Sequence, residues 1–412
     1  MSRRLFVKLL LALGLGSFFP KLAEAERLDE LHTPQDDCDP LTSVKFLRQV
    51  VTRDSRTSRM LMWQSDAQES FRVEYKLVGD EAAHFAEVTQ REQIYSCALE
   101  NLKPESLYEF RITADTRATS WQDLRTSGDG NFRMIIFADS QCEHYEVWQR
   151  TADAACKDFP DAELVTVCGD LVDNGQADYQ WRAWHLAATK ILCGRTFAPV
   201  MGNHECYGVD WFNALPEGYL NQFILPPNDA KDFDGYFYSF DYGAAHFFVL
   251  NTQFVELDKF KPKLRDAQKY FFRRDAADVV RPWKIVLMHK DIYDYARDTF
   301  GDIADEFLNL FDELGVDLVF TGHLHTYRNR GKIFARKKST HGTTYILCGR
   351  AGDQKYVEPP SDIDDVSFPD LRGEPESFIV LDIDADEINL LARTVDGEIL
   401  DSFTLTKTVV SD

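Results

Sequence analysis

Asp170 is the first carboxylate of the stretch 165–175, VTVCGDLVDNG. Leu164, Val165 and Val167 make a short β-branched, apolar run of the kind that forms a buried parallel strand. The run stops at Gly169, which leaves Asp170 at the carboxyl end of a strand, where open α/β sheets bind their ligands. One aspartate in such a place is usually a turn residue. Four further runs, however, end in the same manner. Residues 132–138 lead into Asp139-Ser140-Gln141, and 197–201 into Gly202-Asn203-His204-Glu205. Residues 285–288 lead into His289, and 318–321 into Gly322-His323-Leu324-His325. Glycines at 169, 202 and 322 permit close backbone approach. Asp139, Asp170, Asn203, His289, His323 and His325 together offer two carboxylates, an amide and three imidazoles, which suit a pair of divalent transition metals. Ions roughly 3.5–4 Å apart call for a bridging carboxylate, and Asp170 is the natural one.

The elements that must hold these groups alternate. Helix-length segments at 145–157, 178–191, 264–276 and 303–314 fall between the strands, which predicts an α/β layered domain over 131–407. Residues 236–251, YFYSFDYGAAHFFVLN, read as a hairpin turning at Asp241-Tyr242-Gly243. Strands at 343–347, 377–382 and 387–394 complete the set. Upstream, over 43–127, short strands at 60–63, 71–77, 94–99 and 107–113 predict a small β-sandwich with Trp63 in its core. Its stretch 99–108, LENLKPESLY, resembles the fibronectin type III tyrosine corner, in which a Tyr near a strand start bonds back to the upstream backbone. This unit holds no cluster of metal ligands and reads as a rigid spacer or interaction module. Ser127-Gly128-Asp129-Gly130 is the expected hinge.

The series D-x-Q, GDLVD, GNHE, H, GHLH resembles that of the calcineurin-like metallophosphoesterase superfamily, here in its purple acid phosphatase-like branch with an N-terminal fibronectin-like domain. The resemblance covers the chain from about Thr42 onward. It implies a double-sheet sandwich flanked by helices and a hydrolase of phosphoric esters that uses two divalent ions, Fe, Mn or Zn. One ion would take Asp139, Asp170 and His325; the other would take Asp170, Asn203, His289 and His323. It further implies attack on phosphorus by a hydroxide held between the ions. Asn203 would hold phosphoryl oxygens, and His204 would protonate the leaving oxygen.

Two residues depart from the branch. Asp173 stands where purple acid phosphatases carry the tyrosinate that binds ferric iron, and instead completes the GDxxD of the wider superfamily. It is expected to orient and charge His204. Gln141 stands where the wider superfamily has His, either as a weak carbonyl ligand or as a partner of a ligand water. Past GHLH, Arg328-Asn329-Arg330-Gly331-Lys332 and Arg336-Lys337-Lys338 form a positive run, either a phosphate-steering surface or a solvated turn. Arg328 and Tyr327 are substrate-binding candidates, and Tyr207 and Tyr293 are candidate pocket walls. His246 and His341 read as packing or surface residues.

At 412 residues and 44% hydrophobic, the chain is long enough for two domains with a sizeable core in the larger. A net charge of −22 repels nucleic acid and anionic lipid at long range. The eight cysteines show no CxxC and no regular spacing, although Cys142 and Cys206, each just after a site motif, are expected neighbours. Residues 1–25 read as a signal peptide. SRRLFVK resembles the twin-arginine export signal, an apolar stretch follows at 9–19, and Ala23-Glu24-Ala25 is a cleavage site. That stretch is short of the ~20 apolar residues needed to span a bilayer. With 26–42 as a linker, the expectation is an exported, periplasmic or extracellular protein with no stable membrane anchor; nothing in the motifs fixes its oligomeric state. The favoured reading is a phosphomonoesterase of the acid phosphatase kind, acting on small or polymeric phosphate esters. A phosphodiesterase on the same site is the nearest rival, separated from it by leaving-group loops such as 210–234. A non-catalytic protein that merely retains metal is the third reading; it has no use for the proton donor that His204 and Asp173 would form.

Overall fold

The computed structural model describes residues 41–356, 361–367 and 374–407, so the export signal and nearly all of the linker lie outside the described residues. Five strands carry the site motifs: β1 (Phe132–Phe137), β2 (Leu164–Cys168), β3 (Thr196–Val200), β4 (Trp283–Leu287) and β5 (Leu318–Thr321). Strands β2, β3 and β5 are buried along their whole length, as parallel strands covered on both faces must be.

They belong to two sheets. In one, β1, β2 and β3 run parallel, with Met134 opposite Leu164 and Val165 opposite Phe197. Ser377–Ile383 adds antiparallel to β1, followed by Glu387–Thr394 and Ile399–Thr406. In the other, Ala245–Val249, β4, β5 and Thr343–Cys348 run parallel. The expected hairpin closes one side, Tyr238–Tyr242 pairing antiparallel with Ala245–Val249, and Tyr327–Phe334 closes the other. One apolar core unites inward side chains of both sheets, among them Ile135 and Val165 from the first and Phe247, Ile285 and Leu318 from the second. The result is a mixed, sheet-rich α/β sandwich. Helices Tyr145–Asp158, Leu264–Ala277 and Asp302–Leu314 fall where expected.

Two details differ from expectation. The single helix anticipated over 178–191 is Asp178–Ala187 followed by Thr189–Cys193, parted at Ala188 where ψ opens to 0°. The closing strand pair is a trio, because Ile399–Thr406 pairs with Glu387–Thr394. That third strand shows solvent at alternate positions and contributes little to the core, so its apolar signal is weak.

The N-terminal part is a pair of sheets with a core of its own, including Leu47, Leu61, Trp63, Tyr95, Phe110 and Leu124. Trp63 stacks on Tyr95, with ring centroids 5.8 Å apart. One sheet holds Phe71–Leu77 and Leu107–Ala114. The other does not end at the module. Lys45–Val50, absent from the sequence reading, pairs parallel with β3, Gln49 opposite Thr196 and Val50 opposite Phe197. A ten-stranded sheet therefore runs from the C-terminal strands through β1–β3 into Arg59–Gln64, Ile94–Leu99 and Thr89–Arg91. The Gln49 side-chain amide reinforces the join, donating to the backbone oxygens of Asp123 (2.7 Å) and Cys193 (2.6 Å).

Candidate metal centre

The loops after the five strands converge. Oxygen or nitrogen atoms of Asp170, His289 and His323 all lie within 4.8 Å of one another. Asp139, Asp170, His323 and His325 each sit at positive φ (49°, 51°, 79° and 51°). Non-glycine residues in this region cost energy and persist only where the surroundings hold them. Here the close approach of the loops holds them. A Cβ on Gly202 would lie 2.1 Å from Asp170 Oδ1, and one on Gly169 (φ 86°) would lie 2.3 Å from His289 Nδ1.

Each ligand candidate is fixed by its unused atoms. His289 Nδ1–H donates to the Cys168 carbonyl (2.8 Å), which leaves Nε2 facing Asn203 Oδ1 and Asp170 Oδ2, each at 3.0 Å. His325 Nδ1–H donates to the Gln354 carbonyl (2.8 Å) and presents Nε2 to Asp139 Oδ1 at 3.4 Å. Backbone carbonyls thus select the imidazole tautomer, the usual way a ligand histidine is oriented. Asp139 accepts the His323 backbone N–H at 2.9 Å, and Asp170 accepts that of His204 at 2.8 Å. Burial penalises the charge on Asp170, but His289 and His204 outweigh it and hold the carboxyl far below its ordinary range.

Lone pairs of two carboxylates, an amide and imidazoles that point at one another call for a cation between them. Gln141 fits the same account. Its Nε2 lies 3.4 Å from His325 Nε2, and its buried Oε1 has no hydrogen-bond partner in the protein. A buried amide oxygen of that kind needs a ligand or water. The donors thus fall into two neighbouring groups, Asp170 with Asn203, His289 and His323, and Asp139 with Gln141 and His325, a set whose chemistry fits divalent metal.

His204 stands at the edge of the cluster, with Nδ1 2.6 Å from the Asp173 backbone oxygen and 3.4 Å from its carboxylate. Nε2 faces Asp170 Oδ2 at 3.9 Å. Burial works against an imidazolium here, yet Asp170 and Asp173 prevail and raise the His204 pKa above its usual value. The nearer contact with Asp173 is through its carbonyl, so the residue orients the ring by backbone and charges it by side chain.

Two substrate candidates are placed elsewhere. Arg328 is buried and donates to Glu374 Oε1 (2.6 Å), with Asp364 also alongside. Arg330 is likewise buried between Asp291 and Asp364. Much of the positive run after GHLH is consequently paired with acids, Arg336 on Asp305 and Lys338 on Asp365 among them. This corrects the steering surface to internal ion pairing. Tyr327 is also corrected: it is fully buried, and its hydroxyl donates to Asp401 (2.9 Å). Tyr293 bonds to Asp298, whereas Tyr207 does lie at the site, its hydroxyl 3.4 Å from Asn203 Nδ2. Cys142 and Cys206 are separate thiols and not a bridge.

Sequence reasoning gave no role to Glu205. Its buried carboxylate accepts backbone N–H groups from Asp170 (3.1 Å), Leu171 (2.8 Å), Val172 (3.3 Å) and Gly202 (2.6 Å), and so ties the β2 loop to the β3 loop. Its place directly after His204 was the available signal. Tyr356, whose ring centroid lies 4.3 Å from that of His325, carried no signal in the sequence.

Residues 132–327 match the calcineurin-like phosphoesterase family. The matched segment contains every donor residue of the cluster just described. Purple acid phosphatase 23 of Arabidopsis thaliana is 25% identical over 231 residues, 53% of this chain and 44% of that protein. Among solved structures, purple acid phosphatase PPD1 from yellow lupin (Lupinus luteus) seeds superposes with a TM-score of 0.75 at 18% identity, covering 89% of this chain and 75% of that one. A structure of PhoD reaches 0.63 at 12% identity, with 90% of each chain covered. These relatives and neighbours place the chain's similarity with purple acid phosphatases, and the structures show a shared fold. It matches less than half the length of that Arabidopsis relative.

Proposed function

We propose that this protein is an exported, metal-dependent phosphomonoesterase. The observation that supports it most is a histidine, His204, held by Asp173 at the rim of a cluster of metal donors and outside the donor set itself. Two divalent ions at Asp139, Gln141, Asp170, Asn203, His289, His323 and His325 would supply charge neutralisation and a nucleophilic water near neutral pH. The protein's own groups do the rest. Asn203 and the histidines orient the phosphoryl group, and Glu205 holds the two loops in register. His204, turned inward by the Asp173 carbonyl and kept charged by two carboxylates, gives its Nε2 proton to the departing oxygen. A protein that only retained metal would have no use for this arrangement.

Finer parts of the reading rest on separate observations. The Lys103 backbone N–H donates to the Tyr108 hydroxyl at 2.8 Å, the contact of a tyrosine corner, which supports a fibronectin type III-like module. Export rests on the SRRLFVK motif and the Ala23–Ala25 site. No helix among the described residues is long and apolar enough to cross a membrane. Mature protein purified from the host should begin near Glu26, as N-terminal sequencing would read; a start at Met1 in exported material contradicts processing.

The experiment for the activity is metal analysis joined to an assay of matched mono- and diester substrates. Two ions per chain and faster monoester hydrolysis are expected. Faster diester hydrolysis at the same metal content assigns the protein to the diesterases, and two bound ions with no hydrolysis of either leaves a binding protein.

A further inference from the structure

The loop after His204 returns on itself within a few residues. Tyr207 bridges antiparallel to Asn213, the Gly208 N–H donates to the Phe212 carbonyl (2.8 Å), and the Trp211 N–H donates to the Gly208 carbonyl (2.7 Å). Asn174, on the Asp170 loop, anchors it by donating to the Gly208 carbonyl at 2.7 Å. Trp211 is held at φ 64°, a conformation that non-glycine residues adopt only under local constraint. These bonds place three rings in mutual contact. The His204 centroid is 5.5 Å from that of Tyr207 and 6.1 Å from that of Trp211, and the latter two are 6.2 Å apart. Both meet the imidazole nearly at right angles (77° and 87°), so they flank the proton donor.

Beyond the rings the loop exposes apolar side chains on either side of Asp210, whose carboxylate accepts the Phe212 N–H at 3.2 Å. Phe212 is 73% exposed and Val209 71%, both on this loop, and Val255 beside it is 70% exposed. Asn213 Nδ2 donates to the Val255 carbonyl (3.3 Å), which joins the two segments. On a chain of net charge −22, such a patch bordering a polar site is unusual, and contiguous exposed apolar surface marks binding. The nearby cation is already engaged, Lys290 being paired with Glu256 beside Val255.

We propose that this loop is the leaving-group subsite, with Trp211 as its specificity-determining residue and aryl or other flat apolar phosphomonoesters as its substrate class. The assignment rests on His204 being the proton donor. A donor must lie against the leaving oxygen, so whatever that oxygen carries is brought onto the rings that flank the donor. Stacking there favours an aromatic leaving group over a small alkyl alcohol, and two pre-positioned rings lose little freedom when it binds.

The test compares wild type, Trp211→Ala and Trp211→Phe, each loaded with metal, on 2-naphthyl phosphate and glycerol 2-phosphate. Trp211→Ala is expected to lower kcat/KM for the naphthyl ester roughly three- to tenfold, mainly through KM, as loss of one aromatic contact does. The glycerol ester should lose clearly less than the naphthyl ester, and Trp211→Phe should recover most of the naphthyl loss. An equal loss on both esters, or none on either, overturns the subsite. Competition binding separates this from the catalytic reading, because phenylphosphonate and methylphosphonate bind without turnover. If wild type hydrolyses neither ester yet prefers phenylphosphonate, and Trp211→Ala abolishes that preference, the subsite stands and the phosphatase reading fails. Equal affinity for the two phosphonates in wild type overturns the subsite whatever the activity.

Discussion

At the scale of single residues, Asp173 makes the sharpest forecast. By its place in GDxxD it stands where the resemblance to purple acid phosphatases puts a ferric-binding tyrosine, and its carboxylate lies 3.4 Å from His204 Nδ1. No tyrosinate donor is therefore supplied at that position, so the metal-loaded protein should be colourless. Absorption spectra of iron-loaded protein check this; a strong visible charge-transfer band contradicts it. The six candidate ligand residues stood out in the sequence because each follows closely on a buried apolar run, a pattern written in adjacent letters. Glu205 was not, although its letter was in view, because its role is to accept four N–H groups from segments more than thirty positions apart or just behind it. Arg328 misled for a related reason. A cluster of cations in sequence says nothing about the acids that fold beside it, and Glu374, Asp364 and Asp291 come from other segments.

At the scale of elements, strand ends and helix spans could be read from periodicity, while pairing between distant segments could not. His246 illustrates the gap. It looked like an ordinary packing residue on the hairpin, and it is buried between Asp241 (2.6 Å) and Asp275 (3.1 Å). Arg53 from the N-terminal part reaches Asp275, and Arg281 reaches Asp241 at 3.3 Å, so three regions meet at one imidazole. Burial lowers the His246 pKa, but Asp241 and Asp275 outweigh burial and raise it overall, while both aspartates are pushed down. A raised histidine pKa contributes stability that is fully present below the ordinary value of about 6.5 and is lost as pH rises through the elevated one. The two depressed carboxylates contribute stability that is lost as pH falls through their lowered values. His246→Gln should therefore cost about 1.5–3 kcal/mol, the range for hydrogen bonds to charged groups, near pH 6. The deficit should shrink at alkaline pH. Denaturant unfolding of both proteins across pH reads this, and a deficit independent of pH would show that His246 acts by packing alone.

At the scale of the whole molecule, the expected hinge at 127–130 does not mark a mechanical boundary. The sheet continues across it, because Lys45–Val50 lies in register on β3. That strand was missed because KFLRQV mixes charged and apolar residues without alternation, and its partner is more than a hundred residues away. A chain beginning at 131 would expose β3, buried along its whole length in the full chain, as an unpaired edge, a template for aggregation. We expect that truncation to be insoluble and the full chain to unfold in one transition. A soluble, monodisperse truncation with two bound ions would contradict this continuity. The same joined sheet fixes the β3 loop, and hence His204, against the loops after β1 and β2. The most direct measurement of the account is kcat for wild type and His204→Ala over a series of phosphomonoesters whose leaving groups grow steadily poorer, with metal content determined in each sample. Two ions are expected in both proteins, with a loss of roughly 10²–10⁴-fold on poor leaving groups that narrows towards nitrophenyl phosphate. A loss of metal, or an equal loss on every ester, would contradict it.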